Sequence, residues 1–116
     1  MTTIIERQNF YARVFGPEAP IGLKGCEWIL ERVCDVSGIP EHIIKSKTRV
    51  TEVKEWRQLV HYICHHKKMA NLKTIGRVTG GHDHSTVIHS TFVVSNLLKA
   101  KDPQLMRKFN LVKFLL

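Results

Sequence analysis

No apolar run in this chain approaches the ~18 residues that a membrane-spanning helix needs. The opening stretch, MTTIIERQNF, also lacks the basic start and long apolar segment of a secretion signal, so a cytoplasmic protein with no membrane attachment is expected. Cysteine is scarce. Cys26, Cys34 and Cys64 are odd in number and form no C-x-x-C pair, which argues against a disulfide framework or a cysteine-based zinc site and leaves them as small core residues. A phosphate-binding loop is missing as well. In GPEAPIGLKG, five residues separate Gly16 from Gly22 and Leu23 intervenes before Lys24, so the G-x-x-x-x-G-K-[ST] spacing fails and no nucleotide is expected to bind.

Acids are the other shortage. Ten Asp and Glu stand against 18 Lys and Arg, giving a formal charge of +8. The excess is local: residues 45 to 77 hold nine of the 18 basic residues and only two acids, Glu52 and Glu55. A basic footprint this concentrated points to a polyanion, above all nucleic acid, more than to a merely solvated surface. With 116 residues and 43% apolar content the chain can bury one ordinary core.

Hydrophobic spacing predicts an all-α fold of about five to six helices. Residues 1 to 24 carry balanced charge and close on FGPEAPIG, which reads as an arm and linker; residues 25 to 116 read as the folded domain. A first core helix is expected over roughly 25 to 37, with Cys26, Ile29, Leu30, Val33 and Cys34 inward and Gly38 just past its end. Pro40 opens a short turn bearing Ile43 and Ile44. The basic KSKTRVT that follows suits a loop. A long helix from Thr51 to about Lys67 has Trp56, Leu59, Val60, Ile63 and Cys64 as its stripe, with Arg57, Tyr62 and His65 away from the stripe's centre.

Asn71 then caps a short helix burying Leu72, Ile75 and Val78, closed by Gly80 and Gly81. Asp83 caps the next, whose inner face is predicted to be Val87, Ile88, Thr91, Phe92, Val94 and Leu98. A last helix begins at Asp102 and Pro103 and carries Leu105, Met106, Phe109, Val112 and Leu116. Two helices joined by a tight glycine turn, the second exposing short polar side chains at its start, make a helix-turn-helix. Asp83, His84, Ser85 and Thr86 suit the reading of base edges: Asp accepts from a cytosine amino group, His engages a purine edge, and a Thr methyl packs on a thymine methyl.

The stretch IGRVTGGHDHSTVIHS, residues 75 to 90, resembles the signature of the C-terminal DNA-binding domain of the bacterial replication initiator DnaA, approximately I-G-x-x-F-G-G-R-D-H-T-T-V-L-H-A. The resemblance extends over most of residues 25 to 115, through the basic loop and Arg57–Gln58–Leu59. It implies a compact Trp-repressor-like helical domain that binds double-stranded DNA without a cofactor, in replication initiation or transcriptional control, and so a nucleoid-associated protein. The resemblance further implies base and phosphate contacts in the major groove for Asp83, His84, Ser85 and Thr86, minor-groove entry for Arg49, and backbone contacts for Lys47, Lys54 and Arg57. His82 stands where the family has arginine, so DNA binding is expected to tighten as pH falls toward 6 and the imidazole gains charge. The chain is too short to hold a nucleotide-switch domain as well.

Other readings of the histidines are weaker. A metal site from His82, His84 and His89 lacks an acid or cysteine at ligand spacing, and adjacent His65 and His66 diverge on a helix. A hydrolase built on His84 or His89 with Ser85 or Ser90 has no orienting acid or oxyanion pocket in view, so no enzyme is expected. For His89 the simplest reading is a structural histidine beside Phe92 or hydrogen-bonded within its helix. The second functional class is an adaptor of the same fold, with Phe10, Tyr11 and Phe15 of the arm docking on a protein partner.

Overall fold

In a computed structural model, residues 25–116 are described; the arm over 1 to 24, with Phe10, Tyr11 and Phe15, lies outside the described residues. Among the described residues there are six α-helices and a closing 3-10 turn, with no strand.

Helix α1 spans Cys26–Ser37 and buries Ile29, Leu30 and Val33 completely; it stops at Gly38, whose N–H donates to the Cys34 carbonyl oxygen over 2.9 Å. Helix α2, Glu41–Ile44, is a single turn after Pro40 that buries Ile44 and leaves Ile43 at the surface. The basic loop follows, and then α3, Thr51–His66. Helix α4, Leu72–Val78, is capped by the Asn71 side chain accepting the Thr74 N–H at 2.8 Å. Helix α5 runs His84–Lys99 from its Asp83 cap, and α6, Pro103–Val112, starts with the Asp102 carboxylate accepting the Leu105 N–H at 3.0 Å. The chain ends in a 3-10 turn over Lys113–Leu115.

Helix α3 is the centre of the packing and touches every other α-helix. Its expected stripe of Trp56, Leu59, Val60, Ile63 and Cys64 is buried as predicted, so truncating Leu59 or Ile63 to alanine would cost about 2–5 kcal/mol. A helix surrounded in this way also buries polar positions, and Glu55, Arg57 and His61 all go inside. Buried polar groups need partners. Glu55 finds Lys108 of α6, with Nζ donating to its carboxylate at 2.5 Å and to Glu52 at 2.9 Å, which fastens the last helix to α3.

Two details of the expected core change. The C-terminal anchor is Leu115, fully packed, whereas Leu116 is 40% exposed, because the 3-10 turn rotates the chain after Val112. The inner face of α5 is Val87, Ser90 and Val94, with Leu97 and Leu98 packed beside them. Ile88 and Phe92 were expected inside and lie outside, 47% and 63% exposed. Apolar residues occur on every side of this helix, so periodicity could not select the face; the partner waiting for Ser90 on α3 did.

Candidate nucleic-acid interface

Helices α4 and α5 are joined by Thr79 to Asp83, and backbone contact makes this turn tight. His82 N–H donates to the Gly76 carbonyl oxygen at 2.9 Å, and a Cβ on Gly76 would overlap the His82 carbonyl oxygen, so only glycine lets the turn close onto α4. Gly80 has φ 116°, a conformation L side chains rarely adopt, and a Cβ there would overlap the Lys45 carbonyl oxygen. The basic loop is therefore pressed against the turn. Lys47 Nζ adds a hydrogen bond to the Gly81 carbonyl oxygen at 2.9 Å.

Arg57 holds the same loop from behind. It is 6% exposed and donates Nε–H to the Ile44 carbonyl oxygen at 2.7 Å and both terminal nitrogens to the Thr48 carbonyl oxygen at 3.2 Å. Arg57, expected on the DNA backbone, turns inward, because the carbonyls of a loop wrapped over α3 need a donor and a guanidinium supplies several. Lys47, Arg49 and Lys54 are exposed beside it.

Between this loop and α5 runs an open cleft of about 520 Å³ lined by Lys47, Arg49, Lys54, His82, Thr86 and His89, among others, with no acidic side chain among the described residues on its walls. The loop and the start of α5 thus share one surface. His89, read as structural from sequence, is exposed on this cleft. A second cleft of about 560 Å³ lies across the turn and includes Lys73, Thr74, Arg77, Asp83 and His84. His82 belongs to both. Lys73 and Arg77 are not among the site residues expected above, although their spacing of four on α4 is the signal that places them on one side.

Asp83, His84, Ser85 and Thr86 are all exposed at the start of α5. Asp83 Oδ1 accepts the Ser85 hydroxyl at 2.7 Å and the Thr86 N–H at 2.9 Å, and these bonds, the Ser85 one foremost, hold its carboxyl down at about 2. Asp83 is thus a permanently charged cap, and Ser85 is tied to it; His84 and Thr86 stand at the open end. The pKa of His82 is lowered from the usual histidine value, first by partial burial, then by Lys47 and Arg57, against an opposing pull from Asp83. Its Nε2 is buried with no hydrogen-bond partner among the described residues.

Among the described residues, no group of three or more His, Cys, Asp and Glu could hold a metal ion, and no helix is long and apolar enough to cross a membrane.

A tight-turned helix pair whose second helix opens onto a basic surface defines a helix-turn-helix, a class of DNA-binding domain. Its family is the helix-turn-helix of the bacterial DnaA protein, whose model matches residues 26–94, and the chain belongs to that family. It is 33% identical over 78 residues to the chromosomal replication initiator protein DnaA of Chlorobaculum tepidum, covering 67% of this chain and 16% of that one. The DnaA of Thermodesulfovibrio yellowstonii is 40% identical over 83 residues, 70% of this chain and 18% of the relative. For the DnaA of Enterococcus faecalis the figures are 34% over 88 residues, 76% and 20%. The chain thus spans at most a fifth of the length of these relatives. No solved structure gives a significant match.

Proposed function

We propose that this chain binds double-stranded DNA with sequence preference, placing the start of α5 in the major groove and Arg49 of the basic loop in the adjacent minor groove. The observation that supports the reading is the bracing of the loop on the Gly80–Gly81 turn, which gives Arg49 and Thr86 one cleft with no acid among its described lining residues. His84 and Thr86 are the base readers. Asp83 and Ser85 shape the helix start and face the same groove. Lys47, Lys54 and His82 meet phosphates, joined by Lys73 and Arg77 across the turn. Arg57 acts from behind by holding the loop. A narrow A·T-rich groove, with its concentrated negative potential, suits Arg49. The chain acts on DNA at the cell's nucleoid, in the control of replication initiation or of transcription, as a recognition module without catalysis or nucleotide.

An adaptor role is the second reading, favoured by Ile88 and Phe92, whose exposed side chains on α5 could meet a protein. The arm over residues 1 to 24 would then be a further docking segment.

Fluorescence anisotropy separates the two, with one labelled duplex carrying a DnaA-type box and one scrambled, each at low and near-physiological salt. Preference for the box that survives higher salt is expected. Equal, steeply salt-dependent affinity for both duplexes contradicts inherited base recognition.

A further inference from the structure

Three positions at which this chain departs from the family pattern converge on one buried side chain. The positions are Thr79, His82 and Ser90, at which this chain differs from the signature that residues 75 to 90 resemble. His61 of α3, 1% exposed, lies among all three. Its Nε2 is 2.7 Å from Thr79 Oγ1, its Nδ1 is 2.9 Å from Ser90 Oγ, and its ring meets the His82 ring edge-on with centroids 5.7 Å apart.

The hydrogen-bond inventory sets the directions. Thr79 Oγ1 commits its single proton to the Ile75 carbonyl oxygen at 2.9 Å, so it accepts from His61 Nε2–H. Nδ1 is then a bare acceptor, and the Ser90 hydroxyl donates to it. Burial, followed by the charges of His82 and Arg57, pushes the imidazole down to about 3, so it remains in this neutral form at any ordinary pH.

We infer that His61 is a positioning residue for DNA recognition: it ties the end of α4 through Thr79 and the recognition helix through Ser90, and so fixes the roll of α5 that presents His84 and Thr86. This inference rests on the DNA-binding reading above. The geometry supplies its physical basis. A hydrogen bond is directional and short-ranged, whereas an apolar joint tolerates sliding. At a helix radius of ~5–6 Å, a roll of ~10° moves a side-chain tip by about 1 Å. Such a shift moves Ser90 off the lone-pair direction of His61 Nδ1 and weakens the 2.9 Å bond, and it is the scale on which base-edge contacts are lost.

The test uses the full chain and the ratio of its affinities for its preferred duplex and a scrambled one, measured at a temperature where circular dichroism shows every variant folded. Ser90→Ala puts the better helix former in the helix and removes only the donor. His61→Gln keeps an amide donor toward Thr79 and loses the acceptor for Ser90; His61→Asn keeps an acceptor near the Nδ1 position. Ser90→Ala and His61→Gln should each lower the ratio by roughly tenfold, the double variant no further than the worse single, and His61→Asn less.

A lower melting temperature with an unchanged ratio in Ser90→Ala and His61→Gln overturns the inference and leaves the DNA-binding reading standing. If His61→Gln does not fold, Ser90→Ala alone decides. A wild-type protein with no preference among duplexes, including those from random-DNA selection, overturns both. Independently of DNA, a nitrogen-15 imidazole spectrum with the His61 proton on Nδ1 removes the proposed bond from Ser90.

Discussion

Arg57 reaches forward from the second turn of α3 and places both terminal guanidinium nitrogens 3.2 Å from the Thr48 carbonyl oxygen. With its Nε bound to the Ile44 carbonyl oxygen, the side chain spans the basic loop up to the residue before Arg49. A side chain that the sequence offers to DNA thus carries hydrogen bonds to two carbonyls of the loop.

Replacing that brace should loosen the loop. Arg57→Lys keeps the charge and loses the fork, so the Ile44 and Thr48 carbonyls can no longer both be satisfied. Stability should fall by roughly 1–3 kcal/mol in urea unfolding, amide exchange over residues 45 to 50 should accelerate, and specific DNA affinity should drop. Unchanged exchange and affinity would show that the loop holds itself.

Base readers and groove charges should separate by the DNA they need. His84→Ala or Thr86→Ala should cost about 1–3 kcal/mol on the preferred duplex and relax preference at one or two base pairs. Arg49→Ala should weaken binding most where the flanking sequence is A·T-rich, and should flatten the salt dependence by about one phosphate contact. Comparable losses on scrambled DNA for His84→Ala and Thr86→Ala would contradict direct readout.

His82 should make binding sensitive to acid. Because its pKa is lowered in the free protein, it is neutral near pH 7, and a bound phosphate must raise it. Affinity should therefore rise as pH falls through and below the ordinary histidine range near 6.5, lower than its sequence alone suggested. His82→Arg should bind more tightly at about pH 7.5 and lose that component of the pH dependence. Titration curves that superimpose for the two proteins would show that His82 does not carry the effect.

His61 should make the fold itself acid-sensitive, with the opposite sense. Its pKa is held near 3, so the unfolded chain takes up a proton near 6.5 that the folded chain refuses. Stability is then complete above pH 6.5 and declines as pH falls toward 3. Urea midpoints at about pH 7, 6 and 5 should drift downward in the wild type and less in His61→Gln, in a window above most carboxylate titration. A wild-type midpoint flat across that window would contradict a buried, neutral His61.

Much of this molecule was legible in its sequence because local chemistry wrote it there. Asn71, Asp83 and Asp102 cap the helices they precede, and the stripe on α3 is buried residue for residue. The Gly-Gly turn and D-H-S-T start carried the family, since tight backbone approach and an exposed helix start both demand particular side chains at fixed spacing.

Other features depended on who the neighbours are. Ile88 and Phe92 suit the inner face of α5 as well as its buried residues do, yet Ser90 goes in, with His61 lying across from it. Nothing local marks Lys108 as buried; the carboxylates of Glu55 and Glu52 on another helix draw it in. The helices, their caps and the polar start of α5 are written in the sequence, because those follow from interactions a few positions apart. Tertiary structure alone decided which polar groups serve as braces, because a buried donor or acceptor takes its role from a partner many residues away in the chain.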